Sequence, residues 1–402
     1  MRRSFPPLMV TLFPFFCFLQ MNSLNSISSF FHNTNGLYLG ALSSAYIFGD
    51  ALWLIPAGLI LDKINPLKVV LVSFLGYLMA LFLFSYSSNH ELLIFSRFLM
   101  GCFHAFSLLS CLKLISYNTL IQKRTLLISL AVTIALLGGL VAQAPLFYLI
   151  EHFGLSTALT IDLFFGIAIF FIIFAFYKFS LSNISLNRDR NVENKKIIYS
   201  IHYVLKKKNI WYAAAYVVVL SLPLMILGSV WGIEYLVSIN HISATHASYV
   251  SSMIFMGIII GGPLIGLISC KIKVETLLRF GAIGTFSVLL LVILSVKFPA
   301  ILLGPLFFLM GLISSCQVLG YTVMSQASNQ ALAGISIGVA NALVMFFTAL
   351  CQMIFGLLVH TQFAASVFYL RNYFSGFLFI GCLFMFIILF TLKRTKTTTN
   401  SA

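Results

Sequence analysis

The chain has 402 residues, of which 60% are hydrophobic and 8% charged, with a net charge of +15. So few charges cannot cover the surface of a soluble protein of this length, and soluble folds are excluded. The positive charge is scattered over many short loops instead of forming one basic polar domain, which excludes a nucleic-acid partner.

Long apolar runs alternate with short polar ones, the pattern of membrane helices, each needing about 20 residues to cross. In chain order the runs predict spans near 8–31, 39–61, 69–87, 91–115, 125–150 and 158–180. A second set follows near 211–237, 247–270, 276–296, 299–323, 333–359 and 369–392. The start of the chain, Arg2-Arg3 before an apolar run from Leu8, resembles a signal peptide but carries no small-residue cleavage site. It is expected to be the first span of an all-α membrane protein with twelve transmembrane helices.

Basic residues test this layout. Arg2, Arg3, Lys63, Lys68, Lys123, Arg124, Lys271, Lys273, Arg279, Lys393, Arg394 and Lys396 all fall on one side, with the charged stretch from Lys178 to Lys208. The opposite side has only Lys297 and Arg371 near its loops. The positive-inside rule then puts both termini in the cytoplasm and predicts a multi-pass protein of a bacterial inner membrane. The polar segment 182–209 is expected to be a cytoplasmic linker between an N-terminal half, 1–181, and a C-terminal half, 210–402. Its Lys206-Lys207-Lys208 run could meet anionic lipid headgroups. The seven cysteines fall almost entirely in apolar segments without CxxC spacing, so no metal site and no cofactor is expected.

The two halves repeat each other. Ser43-Ser44, Gly58-Leu59-Ile60 and Lys63-Ile64 recur as Ser251-Ser252, Gly266-Leu267-Ile268 and Lys271-Ile272, at an offset of 208. Phe98-Leu99-Met100-Gly101 recurs as Phe308-Leu309-Met310-Gly311, at an offset of 210. Ile128-Ser129-x-x-Val132-x-x-Ala135-Leu136 recurs from Ile335 at an offset of 207. Three ordered matches at nearly one offset predict two six-helix pseudo-repeat halves, the plan of a transporter whose halves rock about a site between them.

Between the second and third spans lies Gly58-Leu-Ile-Leu-Asp62-Lys63-Ile-Asn65-Pro-Leu-Lys68. This resembles the loop signature of the major facilitator superfamily, with Asn65 in place of a glycine, Leu67 in place of a basic residue, and Cys270 in the second half where the aspartate would stand. Arg97-x-x-x-Gly101 is similar to that family's second motif, whose arginine is linked to proton coupling. The antiporter signature of the fifth span is absent: Gly138-Gly139 is followed by Gln143-Ala144-Pro145 without a Gly-Pro pair, which favours uptake over export or antiport. Residues 105–145 and Trp231-Gly-Ile-Glu234-Tyr235-Leu resemble a bacterial subgroup found in intracellular pathogens such as Legionella, linked to nutrient or siderophore uptake.

The resemblance implies a secondary active transporter for a small polar or anionic solute, working as a monomer by proton symport. Amino acids, organic acids and siderophores are the candidate solutes. It also implies that Gly58, Asp62, Lys63 and Lys68 form a cytoplasmic latch, with Gly58 allowing close helix approach and Asn65 tolerating a left-handed turn. Asp50 and His104 lie mid-span at similar depth, where charge is costly, with Arg97 about two turns towards the outside, and the three are expected to cluster for proton coupling. Gln20, Asn22, Ser26, Lys113, Glu234, Gln317 and Tyr321 are the candidate lining of a substrate cavity, because the family's cavity is lined by helices one, four, seven and ten, and Asn341 is added from the eleventh span. Asp162 is expected at the membrane interface. The competing class, a membrane-embedded lipid-modifying enzyme, would need a nucleophile and base clustered at one interface. No such grouping exists in the sequence.

Overall fold

A computed structural model of the chain describes residues 7–30, 36–118, 121–180, 202, 204–294, 298–326 and 333–360. Among these, the regular structure is helical. Ten stretches are long and apolar enough to cross a membrane, and they match expected spans two to eleven. Span two is Gly36–Lys63, span three Pro66–Tyr86, span four His90–Asn118 and span six Leu155–Ser180. Span eight is Ala244–Ser269, span nine Val274–Leu294 and span eleven Ala333–His360. The expected twelfth span and most of the linker 182–209 lie outside the described residues.

The remaining spans are interrupted. Span one consists of Pro7–Thr11, Leu12–Asn22 and Leu24–Ser28, broken at Ser23, whose hydroxyl donates to the Gln20 carbonyl at 2.9 Å. Such local bonding competes with the helical ladder. Span five, expected to be continuous, divides into Ile121–Val141 and Ala144–Phe153. Pro145 stands in the first turn of the second piece and brings no backbone N–H with which to continue the ladder of the first. Span seven runs Lys208–Pro223, then a π-helical stretch Leu224–Trp231, then Gly232–Asn240. Pro223 brings no backbone N–H to the ladder at the start of that stretch. Span ten divides into Ala300–Ser314 and Gln317–Gln326. The π-helical stretch ends at Trp231, which stands 208 residues after Ser23, so spans one and seven are irregular at related positions.

The sequence repeat has a physical counterpart in the helix crossings. A Cβ on Gly49 would lie 2.2 Å from the Phe98 carbonyl oxygen, and one on Gly101 would lie 1.9 Å from that of Tyr46. In the second half, Gly257 stands 2.1 Å from the Phe308 oxygen and Gly311 stands 2.0 Å from that of Ile254. All four positions and all four oxygens are related by the 208 and 210 offsets. Spans two and four therefore cross backbone against backbone, and spans eight and ten cross in the same way, which only glycine permits.

The halves pack against each other through span two on span eleven and span five on span eight. At Gly40 and Gly356 the first pair meets so closely that a Cβ on Gly40 would lie 2.8 Å from the Gly356 Cα. Both glycines lie towards the end that carries few basic residues. Gly58 differs from expectation, since a Cβ there would meet nothing within 4 Å. The close approach on span two is made at Gly40 and Gly49 instead. Asn65 also differs: its φ of −57° is not left-handed, and its side chain caps span three by accepting from the Leu67 N–H at 2.9 Å.

Candidate functional site

The Gly49–Gly101 crossing places a set of polar side chains inside the N-terminal half. Tyr46 and Asp50 lie one turn apart on span two, while Arg97 and His104 lie one turn on either side of Gly101 on span four. This produces two rungs. On one, the Arg97 guanidinium stacks over the Tyr46 ring, 4.7 Å from its centroid. On the other, His104 Nδ1 lies 3.4 Å from Asp50 Oδ2. Asp50 is 4% exposed and His104 7%, and neither ring nitrogen of His104 has a hydrogen-bond partner. The pair is thus held by proximity, without a hydrogen bond from either ring nitrogen.

The expected three-residue cluster is therefore two separate units. Arg97 is fully buried, and no carboxylate lies within ion-pair distance of it among the described residues. Its Nη1 donates to the Gln20 carbonyl at 2.8 Å and its Nε to the Leu42 carbonyl at 3.5 Å. The break at Ser23 exposes the carbonyl end of a helix, and a cation there offsets the helix dipole. Arg97 finds its counter-charge in that helix end because the crossing sets it one rung away from Asp50.

Gln20, expected in the cavity, belongs to the same interior. Its side-chain amide donates to Asp162 on span six. Asp162 is not interfacial, being only 6% exposed. It lies seven residues inside span six, which begins at Leu155, so it is about 10 Å from the helix end at 1.5 Å per residue. Apolar periodicity could not detect this, because the partner lies 142 residues away in sequence.

A second set of polar groups joins the halves. Asn25 Nδ2 donates to Gln143 Oε1 at 2.6 Å, Ser251 Oγ at 2.8 Å and the Gly228 carbonyl at 3.2 Å, and its Oδ1 accepts from the Ile233 N–H at 3.0 Å. Gln143 Nε2 donates to the Gly228 carbonyl at 2.8 Å. Ser229 Oγ donates to Asn22 Oδ1 at 2.6 Å, and the Ala144 N–H donates to Ser252 Oγ at 3.2 Å. Ser26 donates to the Ala142 and Gln143 carbonyls at 2.7 and 3.0 Å, holding span one to the break in span five. The helix breaks thus supply the groups that the seam uses: backbone atoms released by irregular turns and amides beside them. At the far end Thr245 donates to Glu151 at 3.0 Å. Asn22 and Ser26, expected as lining of a substrate cavity, bond here to Ser229 and to the break in span five, and Asn25 and Gln143 are the centre of the seam. Asn25 was visible in the sequence only as one of many polar residues on span one.

Replacement of Asn25 by alanine should loosen the seam, since it removes the bonds to Gln143, Ser251 and Gly228 and leaves the Ile233 N–H without its partner, at about 1–3 kcal/mol for that unsatisfied group. Spin labels at Tyr148→Cys and Tyr249→Cys, on spans five and eight, should then report longer distances by pulsed electron spin resonance. An unchanged distribution would show that the seam does not hold that end closed.

The other expected lining residues are more dispersed. Tyr321 donates to Asn341 Oδ1 at 3.0 Å, joining spans ten and eleven. Gln317 is half-buried at the start of the second piece of span ten. Glu234 is half-buried and accepts locally from Ser238 at 3.2 Å. Lys113 is half-buried and takes part in an interaction of its own on span four. In the expected latch, Lys63 and Lys68 are exposed, and the Asp62 side chain lies outside what is described.

The family model of the Major Facilitator Superfamily matches residues 9–350. No curated protein matches the chain. The structure resembles the nucleoside transporter NupG, with a TM-score of 0.74 and 14% identity over 97% of this chain and 99% of that one. It also resembles a D-xylose-proton symporter, with a TM-score of 0.74 and 13% identity over 96% and 97% of the two chains. A bacterial homologue of the human lysosomal transporter Spinster, inward-facing and unoccupied, gives a TM-score of 0.71 at 14% identity over 98% of each chain. At such identities the likenesses establish a shared fold, while the family match extends from the first span into the eleventh. With its paired glycine crossings and internal repeat, this protein belongs to the Major Facilitator Superfamily and is a membrane transporter.

Proposed function

We propose that this protein takes up a small polar or anionic solute across a bacterial inner membrane by proton symport, working as a monomer with both termini in the cytoplasm. The Asp50–His104 pair carries the reading. It is a buried acid and base 3.4 Å apart, at the crossing of spans two and four. Ionisable groups inside a membrane protein are costly and are kept where they move ions or protons. Amino acids, organic acids and siderophores remain the solutes to test, in keeping with the resemblance of residues 105–145 to sequences linked to nutrient uptake.

In this reading the basic end faces the cytoplasm and the seam closes the opposite side, giving an inward-facing state. The hydrogen bonds described between the halves lie from mid-span towards the end with few basic residues. At the basic end, a Cβ on Gly58, Gly266 or Gly338 would meet nothing within 4 Å. Rocking the halves would open the seam and bring Gly58, Asp62, Lys63 and Lys68 against the other half as a latch. The close approach expected of Gly58 then belongs to the outward-facing state.

The test begins with a thermal-shift screen of purified protein against those three solute classes. Uptake of the stabilising solute into proteoliposomes should then require an inward proton gradient and collapse with an uncoupler. Equal uptake with and without the gradient would reject proton coupling, and accumulation in the opposite direction would make the protein an exporter.

A further inference from the structure

The network around Gln20 is used neither by the proton-coupling pair nor by the seam, yet it lies between them. Gln20 is held at both ends. Its carbonyl accepts from the Arg97 guanidinium at 2.8 Å and from the Ser23 hydroxyl at 2.9 Å, and its side-chain amide donates to the Asp162 carboxylate. A buried cation and a buried carboxylate are thus separated by one amide, and Asp162 has no ion-pair partner within 4 Å among the described residues. Burying a carboxylate with so little compensation is unfavourable, so the position is hard to explain as packing.

What Gln20 anchors is the break in span one. The helix piece ends at Asn22 and resumes at Leu24. Asn22 and Asn25, two and five residues beyond Gln20, carry the seam bonds to Ser229, Ser251, Gly228 and Ile233. In a low-dielectric interior a hydrogen bond is stronger than it is in water. The bond from Gln20 to Asp162 therefore fixes the rotation of span one immediately before the residues that must meet the other half.

We infer that Asp162 is a positioning residue, which through its hydrogen bond to Gln20 sets the break in span one and thereby holds the seam between the halves shut. The inference needs only the seam, and does not depend on the solute or the coupling ion.

The experiment uses the full chain without its native cysteines, carrying Ser251→Cys in the seam, and a membrane-impermeant maleimide added from the seam side. Asp162→Leu and Gln20→Leu should each raise the labelling rate about tenfold, a usual size for coupling between sites. Asp162→Asn, whose amide oxygen still accepts from Gln20, should stay close to the parent, whereas Asp162→Ala, which removes the acceptor without added bulk, should label as fast as Asp162→Leu. The double variant Asp162→Leu/Gln20→Leu should label no faster than either single one, because both act on the same bond. Labelling at the parent rate in Asp162→Leu, labelling of Asp162→Asn as fast as Asp162→Leu, or additive effects in the double variant would overturn the inference. Each variant is first required to elute as a single gel-filtration peak. Should Asp162→Leu fail to fold, Gln20→Leu reads the same link from its other end. The proton-gradient assay on Asp162→Asn separates this inference from the coupling role of Asp50, because that variant should still accumulate solute.

Discussion

Replacement of Asp50 by asparagine is expected to abolish proton-driven accumulation of the solute while leaving solute-for-solute exchange intact. The side chains are of nearly equal size, so the crossing of spans two and four need not change. Only the capacity to bind a proton is lost, and with it the 3.4 Å attraction to His104. For one proton per solute, each unit of pH gradient supports about tenfold accumulation, because one unit corresponds to about 1.4 kcal/mol. Asp50→Asn should therefore bring the internal solute down to the external concentration under any proton gradient. Counterflow in proteoliposomes, which needs no net proton movement, should continue. Accumulation that persists in this variant would move coupling elsewhere, and loss of both activities would mark Asp50 as part of the solute site or the fold.

The second large effect concerns the helix crossings. Gly101→Ala should destabilise the protein strongly, because the added Cβ would fall 1.9 Å from the Tyr46 carbonyl oxygen and 3.0 Å from the Asp50 N–H nitrogen. Neither atom is the end of a flexible side chain, so spans two and four must separate. Overpacking of a well-filled interior costs about 1–3 kcal/mol, and a clash with backbone belongs at or above the top of that range. Gly311→Ala, its counterpart 2.0 Å from the Ile254 oxygen, should be equally harmful. Gly304→Ala is the control: its Cβ would find only Met253 Cγ, at 3.9 Å, and alanine gains about 1 kcal/mol in helix propensity. The fraction remaining monodisperse after heating in detergent measures all three. Equal survival of Gly101→Ala and Gly304→Ala would show that the crossing is not as tight as the geometry requires. Any fraction of Gly101→Ala that folds should also have a disturbed Asp50–His104 pair, since the crossing is what brings His104 beside Asp50.

Much of this was legible beforehand, for identifiable reasons. Spans two to eleven follow from apolar length, because a bilayer imposes one minimum on every crossing helix. The Phe98-Leu-Met-Gly101 and Phe308-Leu-Met-Gly311 repeat was visible as letters, and its cause is a helix crossing that tolerates no Cβ. The interior of the candidate site was less legible. Asp50 and His104 lie at similar depth, and Arg97 was grouped with them because spans two and four belong to the same half, although it lies about two turns further out. Depth cannot say which rung of a crossing a residue occupies, and Arg97 instead meets the carbonyl end of a broken helix.

The sequence by itself determined that this is a helical membrane protein built of two related halves, and it supplied the loop and arginine motifs of its family. Those properties are local or periodic: hydrophobic length, charge at the loops and repetition along the chain. Only the tertiary structure decided where the breaks in spans one, five and seven fall against each other, that Asn25 and Gln143 form the centre of the seam, and that Asp162 is drawn inward by Gln20. Those pairings join residues 85 to 226 positions apart. They depend on rotation and register between packed helices, and no window of sequence contains that information.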